Sequence, residues 1–262
     1  MNQEDREKTC LPPLRAAPGF ARVPAEALRF IAGGCSSRTV PRDRILYEKG
    51  HRPRSFYLLL DGRVKLAVLS ADGAERVLDI VLPGQTFGES AAFLGQPCPL
   101  YAQALATCRL LVIEVARIRR ALERWPAVAS ARLTLLAERN QRLTTDLEAC
   151  CLHSAAQRVT GYLLREASSV ADSPDAGLVV LPAAKTVVAS SLNLSAETFS
   201  RELHALAHRG LLAVQRREIR IPSLERLRRL AGAGDGAPLA GRSARSAYGR
   251  QDNTQVPEGN AH

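Results

Sequence analysis

Long apolar runs are absent from this sequence of 262 residues. No stretch approaches the roughly 20 apolar residues that a membrane-spanning helix requires, and residues 1–8 are too polar for a secretory signal peptide. We therefore expect a cytoplasmic protein with no membrane partner. In that compartment the six cysteines are expected to be reduced thiols. The cysteines are Cys10, Cys35, Cys98, Cys108, Cys150 and Cys151. None of the spacings between them forms a CxxC zinc pattern.

The signatures of common enzyme classes are also missing. There is no Gly-x-Ser-x-Gly, phosphate-binding loop, HExxH or dinucleotide fingerprint. Ser90 follows Gly88 and Glu89 but precedes an alanine, so it forms no nucleophile elbow. We therefore expect a binding protein and not an enzyme.

Acidic residues are outnumbered, since 26 Asp and Glu face 36 Lys and Arg for a net charge of +10. Such a chain favours polyanions, of which nucleic acid is the most common large one. An arginine-rich protein without a nucleic-acid partner fits the charge equally well. Net charge therefore does not distinguish these two possibilities, and the sequence patterns along the chain are needed.

From about residue 20 to residue 114, short apolar runs alternate with glycine turns. Asp61-Gly62 and Asp72-Gly73 lie between β-type runs and predict hairpins, because both residues of such a turn accept a positive φ. Strands at this spacing predict a small antiparallel roll or barrel. The runs cover residues 57–60, 64–69, 77–82 and 110–113.

A long helix is predicted to begin at Pro126, with no further glycine or proline until Gly161. Its apolar residues recur at alternating spacings of four and three, as in the seam of a two-stranded coiled coil. Asn140 occupies a seam position at which a buried amide favours a dimer. The alternative is an amphipathic helix packed within a monomer, and we favour the dimer. The other seam residues are Ala129, Leu133, Leu136, Leu143, Leu147 and Cys150.

The following sequence, to about residue 231, predicts a compact helical unit with a terminal hairpin. We expect helices at 157–166, 184–191 and 196–209, a loop at 171–177, a strand at 178–181 and a two-stranded wing at 210–214 and 218–221. Residues 232–262 have little to bury, and we expect them to be disordered.

The two helices on either side of Asn193 form a DNA-binding pattern. Asn193 tolerates the left-handed conformation of a tight turn, and Ser195 is placed to cap the second helix. On that helix Phe199, Leu203 and Leu206 share one face, which is expected to pack inward. A solvated surface helix is the alternative, but the turn, the cap and the wing together favour DNA binding.

The opposite face of the second helix carries side chains suited to reading bases in the major groove. Arg201 can donate two hydrogen bonds to guanine, Glu197 can accept one from cytosine, and Ser200 suits several bases. At the start of the preceding helix, a lysine and a threonine are expected to hold phosphates. The predicted DNA-binding set is Lys185, Thr186, Ser195, Glu197, Thr198, Ser200 and Arg201.

These motifs resemble the Crp/Fnr superfamily of bacterial transcription regulators over about residues 20–230. The resemblance lies in Leu-Tyr-Glu-Lys-Gly at 46–50, Phe-Tyr-Leu-Leu-Leu-Asp-Gly at 56–62, Pro-Gly-Gln-Thr-Phe-Gly-Glu at 83–89 and Ala-Glu-Thr-Phe-Ser-Arg-Glu-Leu at 196–203. It implies an α+β fold with a cyclic-nucleotide-binding-type β-roll (20–125), a long dimerisation helix (126–152) and a winged helix-turn-helix (153–231). It also implies a homodimer that binds double-stranded DNA and contacts RNA polymerase.

Within the superfamily, the sequence is most similar to the branch of the dissimilatory nitrate respiration regulator, a nitric-oxide sensor. The spacing of Glu197, Ser200 and Arg201 resembles the Fnr-type reading head, which implies half-sites of the TTGAT type. Haem stays open through this resemblance, with His51 and His153 as candidate ligands. Oxygen-sensing relatives instead hold an iron–sulfur cluster through closely spaced N-terminal cysteines, a set that this sequence lacks, which argues against a cluster.

The resemblance also limits the effector. Relatives that bind cyclic AMP carry Arg-Ser-Ala or Arg-Thr-Ala about ten residues after a Gly-Glu pair, and this arginine pairs with the cyclic phosphate. Here Gly88 and Glu89 are candidate effector-site residues, but the expected place within residues 95–101 holds no arginine or hydroxyl donor. We therefore expect a redox, nitric-oxide or small-molecule signal other than cyclic AMP. The competing hypothesis is a sensing module that acts on a protein partner without binding DNA.

Overall fold

The computed structural model describes residues 3–170 and 173–232. They form an N-terminal β-roll with flanking helices, then one long helix, then a helical unit with its own small sheet. This is the α+β architecture that the sequence predicted. The tail predicted to be disordered lies outside the described residues, apart from Gly232.

Regular elements cover most of the described chain, and a 3-10 turn, Pro18–Phe20, follows the first helix. The helices are α1 (Gln3–Ala16), α2 (Ala25–Ala32), α3 (Glu89–Leu94), α4 (Val115–Arg124), α5 (Pro126–Leu152), α6 (Ala155–Glu166), α7 (Lys185–Ser191), α8 (Ala196–His208) and α9 (Leu224–Gly232). The strands are β1 (Cys35–Val40), β2 (Ile45–Tyr47), β3 (Ser55–Asp61), β4 (Val64–Leu69), β5 (Glu75–Val81), β6 (Thr86–Phe87), β7 (Tyr101–Ala104), β8 (Cys108–Glu114), β9 (Ser168–Val170), β10 (Ser173–Val180), β11 (Ala213–Gln215) and β12 (Glu218–Ile221).

The roll consists of two antiparallel four-stranded sheets, in the orders β1-β8-β3-β6 and β2-β7-β4-β5. Asp72-Gly73 joins β4 to its partner β5, so the hairpin predicted there is confirmed. The hairpin predicted at Asp61-Gly62 is wrong, because β3 and β4 lie in different sheets. The chain crosses between the sheets at Gly62, whose φ is +92°, and a Cβ there would lie 2.6 Å from the carbonyl oxygen of Thr107.

Helix α5 begins at Pro126, as the sequence predicted, and runs for 27 residues. One side of it packs on the roll through Val128 and Arg132, which are both buried. The predicted seam faces away from the roll, and its leucines are half to two-thirds exposed. No described helix has both the length and the apolar character needed to cross a bilayer.

The C-terminal unit contains helices α6 to α9 and a sheet in the order β11-β12-β10-β9. The loop predicted at 171–177 is wrong from residue 173 onward, because β10 already begins at Ser173. Gly177 pairs with both Ile221 and Ser169. Asp175 accepts a hydrogen bond from the backbone N–H of Glu225 at 2.9 Å, near the start of α9, a helix that the sequence analysis did not predict.

Candidate nucleic-acid interface

The turn between α7 and α8 has the geometry that its sequence predicts. Asn193 has a φ of +54°, the left-handed conformation expected of it. A residue far away in sequence secures this turn: Nη1 of Arg158, on α6, donates to the carbonyls of Leu192 at 3.1 Å and Asn193 at 3.2 Å. Sequence reasoning missed Arg158, since nothing local marks an arginine that satisfies the end of another helix.

The predicted cap of α8 is also present. Oγ of Ser195 accepts a hydrogen bond from the backbone N–H of Thr198 at 3.1 Å and donates one to Oγ1 of Thr198 at 2.9 Å. Phe199, Leu203 and Leu206 are buried in the core of the unit, as the helical periodicity predicts. Cap and core together fix the rotation of α8 about its axis.

The opposite face of α8 is directed to solvent. Glu197, Arg201 and His204 are exposed, and Ser200 is half-buried. The side chain of Arg201 is 64% exposed, and its Nε lies 3.9 Å from the carboxylate of Glu202. Such a guanidinium is free to turn toward a partner, because an exposed ion pair of that length contributes little.

The remaining predicted DNA contacts lie around this face. Thr186 is exposed and Lys185 is half-buried at the start of α7, whereas Thr198 already takes part in the cap. The two-stranded wing, β11 and β12, follows α8 as predicted. Arg217 fixes it to the unit with two hydrogen bonds to the carbonyl oxygen of Leu181, at 2.9 and 3.2 Å. Exposed arginines extend the basic surface over the wing and α9: Arg209, Arg216, Arg220, Arg226, Arg228 and Arg229.

The sensor-site candidates lie at the start of α3, where the roll contacts α5. Gly88, with a φ of +80°, precedes α3. Glu89 is buried, and its Oε1 accepts from Oγ1 of Thr86 at 3.1 Å and from Nη1 of Arg139 at 2.9 Å. The chain therefore satisfies this carboxylate itself, partly through α5.

Aromatic rings fill the space next to Gly88. Tyr47, Tyr57 and Phe87 stack with centroids 5.1 to 6.4 Å apart, and a Cβ at Gly88 would lie 3.4 Å from Tyr47. Burial raises the pKa of Tyr47, so its hydroxyl stays neutral.

The candidate haem ligands are less buried than Tyr47. His51 is exposed in the segment after β2, and His153 is half-buried at the end of α5. Within residues 3–170 and 173–232, no group of three or more His, Cys, Asp or Glu side chains is arranged to hold a metal ion. Cys10 and Cys35 lie in one core cluster, whereas Cys98 and Cys108 lie in another.

Comparison with known families matches both halves of the chain. Residues 37–124 match the cyclic nucleotide-binding domain, and residues 157–230 match the Crp-like helix-turn-helix domain. The second match contains the turn, cap and exposed face described above. The chain belongs to the Crp/Fnr family of transcription regulators.

Curated Crp/Fnr relatives cover most of the chain. The CRP-like cAMP-activated global transcriptional regulator of Mycobacterium tuberculosis is 26% identical over 213 residues, 81% of this chain and 95% of that protein. The nitrogen fixation regulation protein FixK of Rhizobium meliloti is 28% identical over 189 residues, 71% of this chain and 83% of that protein. These relatives are named as regulators and not as enzymes.

The solved structure of FixK2 from Bradyrhizobium japonicum superposes with a TM-score of 0.66 at 22% identity, over 75% of this chain and 96% of that one. At this identity the likeness supports the fold: a roll, a long helix and a helix-turn-helix unit in the same order.

Proposed function

We propose that this Crp/Fnr regulator acts as a homodimer that reads a TTGAT-type palindrome through Glu197, Ser200 and Arg201. The observation that carries the proposal is the rigidly held α8, whose cap and core leave these side chains on an outward face. A recognition helix presents its first two turns to base edges in the major groove. Arginine, glutamate and serine offer the donors and acceptors that distinguish base pairs there.

The proposed dimer rests on the outward side of α5. Leu133 is 67% exposed, and three further leucines of the seam are at least half exposed. An exposed row of leucines of this kind is costly in water and is typical of a helix that pairs with a second copy. A two-fold axis along α5 would place two recognition helices on a palindrome, about one DNA turn apart. The other leucines are Leu136, Leu143 and Leu147, with Asn140 exposed between them.

The proposed signal is not cyclic AMP. In relatives that bind cyclic AMP an arginine pairs with the cyclic phosphate, and residues 95–101 hold no arginine at the expected place. Glu89 is already engaged by Thr86 and Arg139. We propose a redox, nitric-oxide or other small-molecule signal, as in the nitrate respiration regulator branch. Haem bound through His51 or His153 is one form of that proposal. A Soret band in protein purified without oxygen would support it, whereas a featureless spectrum would contradict it.

The test of DNA recognition uses the full chain and labelled duplexes. We expect a palindrome of two TTGAT-type half-sites one turn apart to bind at least about 1,000-fold more tightly than scrambled DNA, with an affinity that falls steeply as salt rises. Moving one half-site by half a turn is expected to remove most of that advantage. Equal affinity for all duplexes would contradict base reading, and absence of DNA binding would favour a module that acts on a protein partner.

The dimer is tested with two matched leucines. Leu133→Asp places a charge in the seam, whereas Leu94→Asp changes a leucine of equal exposure (68%) on the roll. We expect sedimentation to show monomers for Leu133→Asp and dimers for Leu94→Asp. A dimer that survives Leu133→Asp would contradict the seam. A dimer bound to a promoter is further proposed to contact RNA polymerase.

A further inference from the structure

The roll contacts the C-terminal unit (α6 to α9 with β9 to β12), called the DNA-binding unit below, partly through strand β5. The pairing of β4 with β5 steps from Leu66–Asp79 to Ala67–Val77, so Leu78 is an extra residue that forms a β-bulge. A bulge interrupts the ladder and changes the direction of the residues beside it. Val77 and Asp79 flank Leu78, and each binds a different part of the chain.

Val77 binds the DNA-binding unit. Its backbone N–H donates to Oγ of Ser190 at 2.9 Å, and Ser190 lies in the last turn of α7. Ile80 of β5 and Leu105 of the roll pack against the core of the same unit. The contact therefore combines a directional hydrogen bond with apolar burial, which together define one orientation of α7.

Asp79 binds the long helix. Its Oδ1 lies 3.3 Å from Nη2 of Arg142, and its Oδ2 lies 4.0 Å from Nη2 of Arg139. Arg139 also holds Glu89 at 2.9 Å at the start of α3. This one guanidinium is therefore shared between the candidate effector site and the strand that contacts the DNA-binding unit.

The ionic contacts continue from α5 into that unit. Nε of Arg142 lies 3.7 Å from Oδ2 of Asp146, and Nη1 of Arg165, on α6, lies 3.0 Å from Oδ1 of Asp146. Alternating charges thus connect Glu89 to α6. Each of the outer pairs is partly exposed and contributes little alone, so their role is to set geometry.

We propose that residues 77–79 form the contact surface, called the dock below, that holds the DNA-binding unit against the roll. Arg139 links the ion pair at Glu89 to this dock through Asp79. A ligand that separates Glu89 from Arg139 allows this guanidinium to strengthen its ion pair with Asp79. Asp79 lies two residues from the hydrogen bond that holds α7, and α7 shares a core with α8. Arg139 can pair mainly with Glu89 or mainly with Asp79, and the dock thus links these two arrangements to the orientation of α8. The inference rests on the proposed function, because it assigns how the sensor acts on that helix.

The dock is tested by amide hydrogen exchange in the full chain, read at Val77 by NMR. Ser190→Ala removes the acceptor and is expected to speed exchange at Val77 about fivefold, the effect of one lost hydrogen bond. Ser191→Ala is the matched control, because its Oγ donates within α7 to the carbonyl of Val188 at 2.8 Å. An unchanged rate in Ser190→Ala, or an equal increase in both variants, would overturn the dock.

Transmission through Arg139 is tested with isosteric amides. Glu89→Gln releases Arg139 toward Asp79, and we expect exchange at Val77 to slow at least about twofold. Asp79→Asn in the same chain is expected to abolish that response. An unchanged or faster rate in folded Glu89→Gln would overturn transmission. Neither measurement involves DNA, so failure here is distinct from failure of the palindrome assay.

Discussion

Helix α8 and the β-roll differ in how their polar side chains are placed. On α8, Arg201 and Glu197 are exposed, and the guanidinium has a weak contact with a neighbouring residue. In the roll, Glu89 is buried and is held by a charged partner from α5. The exposed face of α8 is therefore accessible to an external partner, whereas a ligand that uses Glu89 must first break an internal ion pair.

The largest expected effect concerns the exposed face of α8. Arg201→Ala removes a bidentate donor worth about 1–3 kcal/mol per base pair read, so a dimer on two half-sites would lose about twice that. We expect the preference for the palindrome over scrambled DNA to fall accordingly in a fluorescence anisotropy titration. Arg226→Ala, an exposed arginine on α9, removes the same charge and should leave the preference intact. A preference that persists in Arg201→Ala would contradict the assignment.

The enclosed side is tested with Arg139→Met. This change removes the cation that is hydrogen-bonded to the buried carboxylate of Glu89, which is expected to lower the free energy of unfolding by about 3 kcal/mol. Urea denaturation measures the difference. Arg142→Met is the control, because the side chain of Arg142 is 45% exposed and its ion pairs should contribute about 0–1 kcal/mol. Equal costs for the two variants would mean that Glu89 is not enclosed.

Arg132→Met is expected to act in the opposite direction. Arg132 lies two turns before Arg139 on α5 and is buried, and its Nε and Nη2 have no hydrogen-bond partner within the described residues. Burial lowers the pKa of its guanidinium to about 10, so it remains charged at neutral pH. Methionine of similar length removes that desolvation cost and should stabilise the protein by about 1 kcal/mol in the same urea experiment.

Loss of stability in Arg132→Met would instead mean that the contacts of Arg132 with aromatic rings and its attraction to Glu89 together outweigh its desolvation. Its Cζ lies 4.3 Å from the ring centroid of Phe20 and 5.3 Å from that of Phe56. Cation–π contacts contribute up to about 2 kcal/mol when they are desolvated. The sign of the change therefore separates the two effects.

The smallest expected effect concerns the cap of α8. Ser195→Ala should cost about 1 kcal/mol of stability and weaken palindrome binding, because the first turn of α8 frays. Ser154→Ala removes the comparable cap of α6, where Ser154 and Gln157 form a full capping box. It should cost a similar amount with little effect on DNA binding. Equal losses of affinity in both variants would contradict a specific role of α8 in binding the palindrome.

Local patterns were sufficient where neighbouring residues decide the structure. Pro126 begins α5, Asn193 forms the left-handed turn and Ser195 caps α8, as predicted. In each case the physical cause lies within a few residues, either in a backbone preference or in a hydrogen bond to the next turn. The Asp72-Gly73 hairpin is confirmed for the same reason.

Local patterns gave wrong predictions where a segment distant in sequence determines the structure. The Asp61-Gly62 turn has the same composition as the Asp72-Gly73 turn, yet β3 takes β8 as its partner and the chain changes sheets. Residues from 173 onward resemble a loop in composition, but Ile221 recruits Gly177 into a ladder. The buried face of α1, with Cys10 and Leu14 in the core, carries no strong periodic signal.

The same division holds for the two functional regions. The sequence by itself determined which side chains α8 presents, because a helix period and a cap are local. Its motifs also carried the resemblance to the Crp/Fnr family, which the family comparison then showed. Only the tertiary structure decided that Arg139, 50 residues from Glu89 in the chain, pairs with its buried carboxylate. It also decided that Val77, beside the bulge at Leu78, donates a hydrogen bond to Ser190 of α7. Both depend on the packing of elements distant in sequence, which no local pattern encodes.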